Sequence, residues 1–482
     1  MNLRPVLLII GFVLMAVSVA MCVPAAVDGI AGNPDWQAFT FSAGATLFVG
    51  VALVLTCRGG DLTLNIRQAF AMITLVWVVV TLFAALPFIF SEFNLSFTDA
   101  YFEAMSGITT TGSTVMTGLD RAPPGILLWR GVLQWIGGLG IIVMAISVLP
   151  RLGIGGMQMF RIEAFEAQGD ITLRAVQISA GITLVFGGLT LIVAIALWAA
   201  GMTGLEAAVH AMTTIATGGY STSDTSIGHF KNPLIEIIIT IGMIAGGIPF
   251  LLYLKAVQGD FRMLFRDSQV RWYLSILCAA MAGLFLWLSL VGGMDVVQAL
   301  RSASFTAASI MTGTGYVLSD YSAWGAFPVG LVFFLTFVGG CAGSTSCGMK
   351  VFRFQVLYAT ARNQLKKLLQ PHGIFIPYYN NLPISNEVST SVLSYFFLFG
   401  ICFALLSLAL NMTGLGFVTA LSSAATAMAN VGPGLGPIVG PMGTFQPLSD
   451  PSKWLLAIGM LVGRLEVFAV IILFTRGFWM DR

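Results

Sequence analysis

The sequence predicts an all-α polytopic membrane protein, from its composition, its long apolar segments and a short pattern that occurs four times. Of the 482 residues, 57% are hydrophobic and only 9% are charged, whereas soluble domains carry about 25% charged residues. Apolar runs such as 71–90, 178–200 and 394–410 recur along the chain, and an α-helix needs roughly 20 such residues to cross a bilayer. A membrane β-barrel would instead alternate apolar and polar residues over segments of about 10 residues.

Two apolar segments precede the repeated part of the chain. The first, 6–23, has the length of a secretory signal sequence, but a second apolar segment follows at about 39–55. Because multi-span proteins commonly keep such a first helix, we interpret both segments as extra amino-terminal transmembrane helices. The predicted units are these two helices, at 1–60, and four repeats at 61–165, 166–262, 263–370 and 371–482.

The basic residues predict how the chain is oriented. Of its 23 lysines and arginines, 17 lie at the termini or in one alternate set of connections, five lie in the other set, and Arg464 falls inside a predicted span. Cytoplasmic connections carry the excess of Lys and Arg. Both termini are therefore predicted to be cytoplasmic, which requires an even number of spans. The opposite connections hold many acids, which serve either as ordinary solvated side chains or as a mouth that attracts cations.

The repeated pattern is an apolar stretch of small residues, a glycine turn and a polar loop. Its glycines, Gly112, Gly218, Gly315 and Gly432, are 106, 97 and 117 residues apart. The preceding stretch of 10–12 residues is too short to cross a bilayer, and a full-length apolar segment lies on either side of it. Each repeat is therefore predicted to be a span, a re-entrant half-helix, an extended loop and a second span. Together with the amino-terminal helices, this gives ten spans.

The four loops are predicted to form a cation filter around a pseudo-fourfold pore. Non-helical backbone inside a membrane is tolerated only where it is buried in protein or lines a watery path, and rings of carbonyl oxygens can replace the water shell of a potassium ion. Glycine allows the left-handed backbone that such loops need, although for any single copy close helix packing is an alternative explanation. The predicted ion-binding residues are Thr110, Thr111, Gly112, Ala216, Thr217, Gly218, Gly313, Thr314, Gly315, Asn430, Val431 and Gly432.

Several motifs resemble those of the Trk/Ktr/HKT superfamily of potassium transporters, above all of its TrkH branch. They are the stretch 129–140 (WRGVLQWIGGLG) and the segment Thr314-Gly315-Tyr316 followed by Asp320 and Tyr321. The resemblance covers nearly the whole chain. It implies a homodimer with one pore in each protomer, in a bacterial inner membrane, and a cytoplasmic regulatory ring of TrkA type that binds nucleotides.

The same resemblance bears on individual filter positions. Gly112 is the residue that potassium-favouring members carry, whereas serine at this position goes with sodium permeation in some plant relatives. The fourth loop, Asn430 to Gly434, departs most from the Thr-x-Gly form. The fourth quadrant is therefore expected to coordinate an ion less regularly than the other three.

Arg464 is the first of two predicted gate elements. It is 11 residues after Lys453 and 12 before Arg476, near the middle of the last predicted span. A guanidinium at that depth costs at least about 2.5–3.5 kcal/mol. We interpret it as an electrostatic barrier below the filter, which the resemblance supports, and the alternative is a buried pair with a carboxylate on another helix.

The second predicted gate element is a glycine-rich break in the third downstream span, within 339–348. Each glycine costs a helix roughly 1 kcal/mol relative to alanine, so this segment should unwind beside a water-filled cavity. It resembles the intramembrane loop of TrkH relatives, and the alternative is close helix packing through small residues. The predicted gate residues here are Gly339, Gly340, Gly343, Ser344, Thr345 and Gly348.

Three functions compete at this point. A gated, channel-like potassium uptake pathway and a symporter coupled to Na⁺ or H⁺ both fit the repeats. A membrane enzyme or sensor fits them less well, because the sequence has three histidines and no recognisable catalytic motif. We therefore expect no enzymatic activity, no bound cofactor other than the transported potassium ion, and no nucleic-acid partner. The basic segment 350–367 is a candidate docking surface, although the excess of positive charge in cytoplasmic connections explains it equally.

Overall fold

The computed structural model describes residues 2–59, 65–147, 156, 171–380 and 382–480, and in these ranges it is almost entirely helical. The predicted boundary between repeats one and two, with Arg151 and Arg161, lies outside these residues. The helices are α1 (Arg4–Ala31), α2 (Trp36–Cys57), α3 (Ile66–Ala84), α4 (Leu86–Phe90), α5 (Phe97–Ile108), α6 (Pro124–Ser147), α7 (Ile171–Ala199), α8 (Gly204–Ile215), α9 (Pro233–Gly246), α10 (Phe250–Val257), α11 (Arg262–Arg266), α12 (Ser268–Leu290), α13 (Val296–Met311), α14 (Ala326–Thr336), α15 (Val351–Leu369), α16 (Asn386–Met412), α17 (Phe417–Ala429), α18 (Asp450–Arg464), α19 (Val467–Ile471) and α20 (Arg476–Trp479).

The described helices satisfy the length requirement for a polytopic membrane protein. Seven are long and apolar enough to cross a bilayer, and nine spans result when each of two bent helix pairs is counted once. The predicted tenth span begins with α14, which has only 11 residues and is followed by a non-helical segment before α15. The fold class predicted from the sequence, an all-α polytopic membrane protein, is confirmed.

The two amino-terminal helices pack against each other and against the repeated part of the chain. α1 contacts α2, α3 and α6. Two buried carboxylates fix these helices, because Asp28 accepts a hydrogen bond from the backbone N–H of Gly125 at 2.6 Å and Asp35 accepts one from Glu92 N at 2.9 Å. The extra helices therefore form part of the same packed structure as the first repeat.

Four half-helices, α5, α8, α13 and α17, follow the predicted apolar stretches. Three begin at a side-chain cap that satisfies the first orphan N–H groups. The caps are Ser96, Thr203 and Asp295, whereas α17 begins at Gly416 without one. Alanine, serine and threonine dominate the buried faces of α13 and α17, and these small side chains let neighbouring backbones approach closely.

Two downstream spans that the sequence presents as continuous are broken, and that part of the prediction is wrong. The span predicted at 234–254 consists of α9 and α10, which meet at 96°, and the one predicted at 454–475 bends by 115° after α18. The first break contains Gly246, Gly247 and Pro249, residues that lower helix stability. The second lies between Arg464 and Val467, where Glu466 has a φ of +66°. Both breaks adjoin the glycine-rich segment of the third repeat.

Candidate ion pathway

The backbone takes the same unusual course where each half-helix ends. In the first three loops the residue after the helix cap has a positive φ, and in the fourth the cap residue itself does. The residue two positions later has a positive φ in all four loops. Non-glycine residues rarely adopt this conformation, so its fourfold recurrence marks one shared loop structure. The pairs are Thr110 (52°) and Gly112 (86°), Thr217 (49°) and Gly219 (78°), Gly313 (76°) and Gly315 (77°), and Asn430 (51°) and Gly432 (105°).

The four loops contact one another in cyclic order. A Cβ added to Gly112 would overlap the carbonyl oxygen of Gly218 in the second loop, and one added to Gly219 would overlap that of Thr314 in the third. A Cβ added to Gly315 would likewise overlap the carbonyl oxygen of Val431 in the fourth loop. Gly432 completes the ring, because its Cβ would lie 2.9 Å from the oxygen of Thr111. The loops therefore close into a ring in which each glycine lies beside a carbonyl oxygen of the next quadrant.

Backbone hydrogen bonds fix the register of the loops and correct the predicted alignment of the second one. The middle residue of each loop donates its N–H to the residue five positions earlier: Thr111 to Ser106 O, Gly218 to Thr213 O, Thr314 to Ser309 O, and Val431 to Thr426 O. Gly218 is thus equivalent to Thr111, and Gly219 is the residue equivalent to Gly112. Ala216, predicted as a loop residue, is the cap of α8. The predicted set was shifted by one residue in this repeat.

A buried ion pair stands behind the first two loops. Arg130 donates to Glu103 Oε1 at 2.9 Å and to Ser221 O at 2.8 Å, and its guanidinium lies 4.0 Å from the centre of the Tyr220 ring. Glu103 also accepts from the backbone N–H of Val115 at 2.9 Å. Each charge is therefore compensated, as burial requires. Glu103 therefore braces the loop that follows its own half-helix.

Side chains outside the predicted set restrain the loops directly. Gln134 donates to Gly218 O at 2.7 Å and accepts from Tyr220 N at 3.1 Å. Ser113 donates to Gly432 O at 2.9 Å, and the amide of Asn430 donates to the Thr111 hydroxyl at 2.9 Å. Sequence reasoning placed Gln134 in a family motif without assigning it a contact. The sequence feature that could have identified Gln134 is its polar amide inside a predicted apolar span, just before the glycine-rich run 137–140.

A cavity on one side of the ring is lined by all four loops. Its walls include Gly112, Gly219, Gly315 and Gly432, together with Asp224. Asp224 accepts hydrogen bonds from Gly118 N and Leu119 N, and it therefore also orders the loop after the first filter segment. Half-helices direct the negative ends of their dipoles toward their carboxyl ends. The site is therefore open on this side and electrostatically suited to a cation.

The predicted glycine-rich break forms a non-helical loop against the opposite side of the ring. Gly340 N donates to the Ser346 hydroxyl at 2.7 Å. Thr345 donates its hydroxyl to Ile215 O at 2.9 Å, at the end of the second half-helix, and to Gly246 O at 3.0 Å. The Cys341 N–H donates to Gly247 O at 3.0 Å. The loop thus pairs with the broken α9–α10 span, which satisfies backbone groups that a continuous helix would have bonded internally.

The positions of the six predicted loop residues differ in detail. Gly343 and Gly348 have φ values of +76° and +70°. A Cβ on Gly339 would overlap Cys347 O, and one on Gly340 would lie 2.8 Å from Ser346. Ser344 and Thr345 are buried. The glycines are therefore required by conformation or by close approach, which agrees with the prediction that this segment is unwound.

Arg464 ends α18 and extends into the space between this loop and the ring of four loops. Its guanidinium donates to Cys347 Sγ at 2.5 Å, to Thr345 O at 3.3 Å and to Gly137 O at 3.3 Å. Within the described part of the chain, Arg464 forms no ion pair with a carboxylate, so the alternative of a buried pair is not what the structure shows. Cys347 Sγ also lies 3.5 Å from Thr110 Oγ1 of the first loop.

For a second arginine near this break, Arg353, the structure differs from the location that the sequence predicted. Arg353 counted among the basic residues of a cytoplasmic connection, yet it is fully buried, and it donates to Glu466 Oε2 at 2.5 Å. Its guanidinium also stacks on the Tyr395 ring at 3.7 Å. Lys350 is likewise turned inward, toward Ser346 O. Of the candidate docking segment 350–367, these two residues are therefore not available at the surface.

The described residues include no group of three or more His, Cys, Asp or Glu side chains that could hold a metal ion. The polar atoms around the ring are instead backbone carbonyls and hydroxyls. Such neutral oxygens are the groups that coordinate a dehydrated monovalent cation in known filters.

Helices that cross a membrane, four half-helices and a closed ring of re-entrant loops define a polytopic membrane protein built around an intramembrane path. Residues 36–479 match the TrkH family, described as cation transport protein, and the chain belongs to this family.

Relatives align with the chain over nearly its whole length. It is 41% identical over 476 residues to the Trk system potassium uptake protein TrkI of Halomonas elongata, which covers 98% of this chain and 96% of that protein. It is 35% identical over 487 residues to the Trk system potassium uptake protein TrkH of Escherichia coli, with 100% of both chains covered. The crystal structure of the potassium transporter TrkH from Vibrio parahaemolyticus matches with a TM-score of 0.92, at 33% identity and 100% coverage of both chains.

Proposed function

We propose that this protein takes up potassium across the bacterial inner membrane through a gated pore whose filter is the ring of four loops. The observation that carries the proposal is the cyclic contact between glycines and carbonyls of successive loops. Relatives named as potassium uptake proteins support potassium as the transported ion, because they align with nearly the whole chain.

In this proposal the filter carbonyls belong to the three consecutive residues of each loop. They are Thr110–Gly112, Thr217–Gly219, Gly313–Gly315 and Asn430–Gly432, so Gly219 replaces Ala216 in the set derived from the sequence. Gln134 and Ser113 would hold individual carbonyls at fixed positions. The repeats bounded at 61–165, 166–262, 263–370 and 371–482 would each supply one quadrant.

The proposed gate is Arg464 together with the loop 339–348. A buried guanidinium repels a cation at close range with an energy of about 4 kcal/mol at 4 Å in an effective dielectric constant of 20. Its three hydrogen-bond acceptors lie on the loop and on α6 beside the filter. Opening would require the loop and Arg464 to move together, since each holds the other in place.

Passive, channel-like transport is favoured over coupled symport by the state of the buried glutamates. Glu103, Glu236 and Glu466 each form an ion pair, with Arg130, Arg301 and Arg353 respectively. A carboxylate that carries a coupling proton or sodium ion must be able to change its partner during the cycle. Coupled symport with Na⁺ or H⁺ remains the competing mechanism that the experiment below distinguishes.

The proposed assembly is a homodimer in which both termini of each chain are cytoplasmic, bound to a regulatory ring of TrkA type. The Trk system names of the relatives support such a partner. Arg362, Lys366 and Lys367 are exposed on α15 and would contribute the docking charge that Lys350 and Arg353 cannot. The chain itself is proposed to act as a transporter and not as an enzyme.

The test is ion flux through the purified protein in liposomes. We expect potassium to move down an imposed gradient, with a reversal potential in mixed potassium and sodium that follows the potassium gradient. Adding a sodium or proton gradient should leave that reversal potential unchanged. Movement of sodium or protons against their own gradient, in fixed proportion to potassium, would establish coupled symport in place of channel-like flow.

A substitution in the ring links the flux to the filter. Gly315→Ser should shift the reversal potential toward that of sodium, because a Cβ at this position overlaps Val431 O. The matched control is Gly330→Ser on α14, where an added Cβ meets nothing within 4 Å. Equal reversal potentials for the two variants would contradict the proposed filter.

A further inference from the structure

A large cavity outside the ion pathway lies where three helices and the β-hairpin meet. Its walls come from the end of α10, from α11, from the start of α12, and from the hairpin of β1 (Tyr378–Tyr379) and β2 (Leu382–Pro383). Its volume is about 860 Å³, and pockets that bind small ligands span roughly 300–1,000 Å³. The basic residues that line it are Lys255, Arg262, Arg266 and Arg271.

These four cations have no acidic partner within the described residues. Two acids share the cavity wall, but Asp267 is already engaged. Its Oδ1 accepts from Gln269 N at 2.8 Å and from Val270 N at 3.2 Å, and its Oδ2 accepts from the Asn380 amide at 3.3 Å. Even with both acids ionised, two of the four positive charges on the cavity wall are uncompensated. The cavity is therefore built to attract an anion.

The surroundings of the cavity are apolar. Val257, Phe261 and Phe265 alternate with the arginines in this connection and are exposed by 76%, 67% and 71%. The connection joins the membrane-crossing pair α9–α10 to the span α12. Basic residues interleaved with large apolar side chains at the end of a span are typical of segments that lie in the headgroup region of a bilayer.

We propose that this basic cavity binds the headgroup of an anionic phospholipid such as phosphatidylglycerol. Arginine forks match the oxygens of a phosphate group and form charge-assisted hydrogen bonds with it. A basic cluster beside a transmembrane helix attracts anionic lipids, and the exposed phenylalanines would contact the acyl chains. The hairpin, fixed to α12 by the bond from Ser268 N to Asn380 Oδ1 at 3.2 Å, closes the cavity on its other side. This site is independent of the proposed filter and gate.

The test is native mass spectrometry of the purified full-length protein with added lipids of equal acyl chains. We expect phosphatidylglycerol to bind more tightly than phosphatidylethanolamine. The double substitution Arg262→Gln and Arg266→Gln should weaken phosphatidylglycerol binding on the order of 10- to 30-fold, since each basic residue near an anionic lipid contributes a factor of about five. The matched control replaces Arg58 and Arg476, both exposed and outside the cavity, with glutamine and should change the affinity less than twofold.

Three outcomes would overturn the proposal. Equal losses in both double variants would show nonspecific attraction to the charged surface. Displacement of the lipid by soluble glycerol 3-phosphate at equal concentration would show a free phosphate site. Unchanged lipid binding by the Arg262/Arg266 variant, with loss of binding to a cytoplasmic protein partner, would show that this face docks protein. If that variant does not fold, Lys255→Gln with Arg271→Gln tests the same cavity.

Discussion

The third residue of each loop is constrained both by its backbone conformation and by its neighbours. It has a positive φ in all four loops, and an added Cβ meets a backbone carbonyl of the next quadrant that cannot move aside. At the second position of the second loop, by contrast, a Cβ on Gly218 would meet the flexible end of the Gln134 side chain. The free-energy cost of adding a methyl group in the second loop therefore depends on whether it is added at Gly218 or at Gly219.

We predict that Gly219→Ala disturbs the filter more than Gly218→Ala. A non-glycine residue in the left-handed region costs roughly 1–2 kcal/mol, and overlap with Thr314 O adds to this, whereas Gln134 can rotate away from a methyl at position 218. The measurement is the reversal potential in mixed potassium and sodium, with thermal unfolding as a check on folding. A larger shift for Gly218→Ala than for Gly219→Ala would contradict the register found here.

The sequence predicted this ring but not its register in the second repeat. Thr217-Gly218 reproduces the Thr-Gly pair of the first and third repeats, so the pattern alone favoured Gly218 as the anchor. The distinguishing information is the hydrogen bond from Gly218 N to Thr213 O, five residues back. Two consecutive glycines are equally permissive in isolation. Only the neighbouring loops decide which of them adopts the positive φ.

We predict that Arg464→Ala increases potassium flux in liposomes by about tenfold or more, because it removes a buried positive charge beside the path. Arg464→Lys should keep the flux low by keeping the charge, and Arg476→Ala, on the exposed carboxy-terminal helix, should leave it unchanged. Flux in Arg464→Ala equal to that of the unmodified protein would exclude this arginine as a barrier.

At the scale of elements, two separate side-chain contacts connect the break in the third repeat with the break in the fourth. Arg464, before the break in the last span, bonds to the loop 339–348, and Glu466, within that break, pairs with Arg353 at the start of α15. α15 is in turn tied to the loop by the bond from Val351 N to Gly340 O at 3.1 Å. The loop and the bent last span therefore form one mechanical unit.

We predict that Arg353→Met or Glu466→Leu alone destabilises the protein more than making both of these substitutions together. Removing one partner of a buried pair strands a charge and costs about 3–5 kcal/mol, whereas an apolar replacement of both avoids that cost. The measurement is a thermal unfolding curve for each variant in detergent, evaluated as a double-mutant cycle. Additive effects of the single and double changes would show that the two side chains are not coupled.

The sequence foresaw one of these breaks and missed two others. The four glycines between 339 and 348 predicted the loop of the third repeat. The glycines and proline at 246–249 were available but stand in an otherwise continuous apolar run, and Gly246 and Gly247 accept hydrogen bonds from the loop, which the sequence cannot show. The last break has charged residues at its centre. Its backbone geometry depends on the distant partner Arg353, not on local propensity.

At the scale of the whole molecule, pairing of buried charges accompanies the predicted orientation. The buried pairs Glu103–Arg130 and Glu236–Arg301 belong to repeats one to three, and Lys453 bonds to Asp99 across the first and fourth. Several of the basic residues that were counted for the orientation therefore form ion pairs within the protein. The remaining exposed lysines and arginines are still more numerous in the predicted cytoplasmic connections. The positive-inside rule depends on this excess of Lys and Arg.

We predict that Thr225 faces the periplasm and Gln364 the cytoplasm, because they lie in connections of opposite parity and both are exposed. The six native cysteines would first be replaced with alanine, and one cysteine then introduced as Thr225→Cys or Gln364→Cys. A membrane-impermeant maleimide should label only Thr225→Cys in intact spheroplasts and both variants in permeabilised ones. Labelling of Gln364→Cys alone in intact cells would invert the orientation, and labelling of both would place α15 and the second external loop on the same side. The first result would require a reversed chain, with the basic cavity in the opposite leaflet, and the second would require an even number of crossings between the two residues.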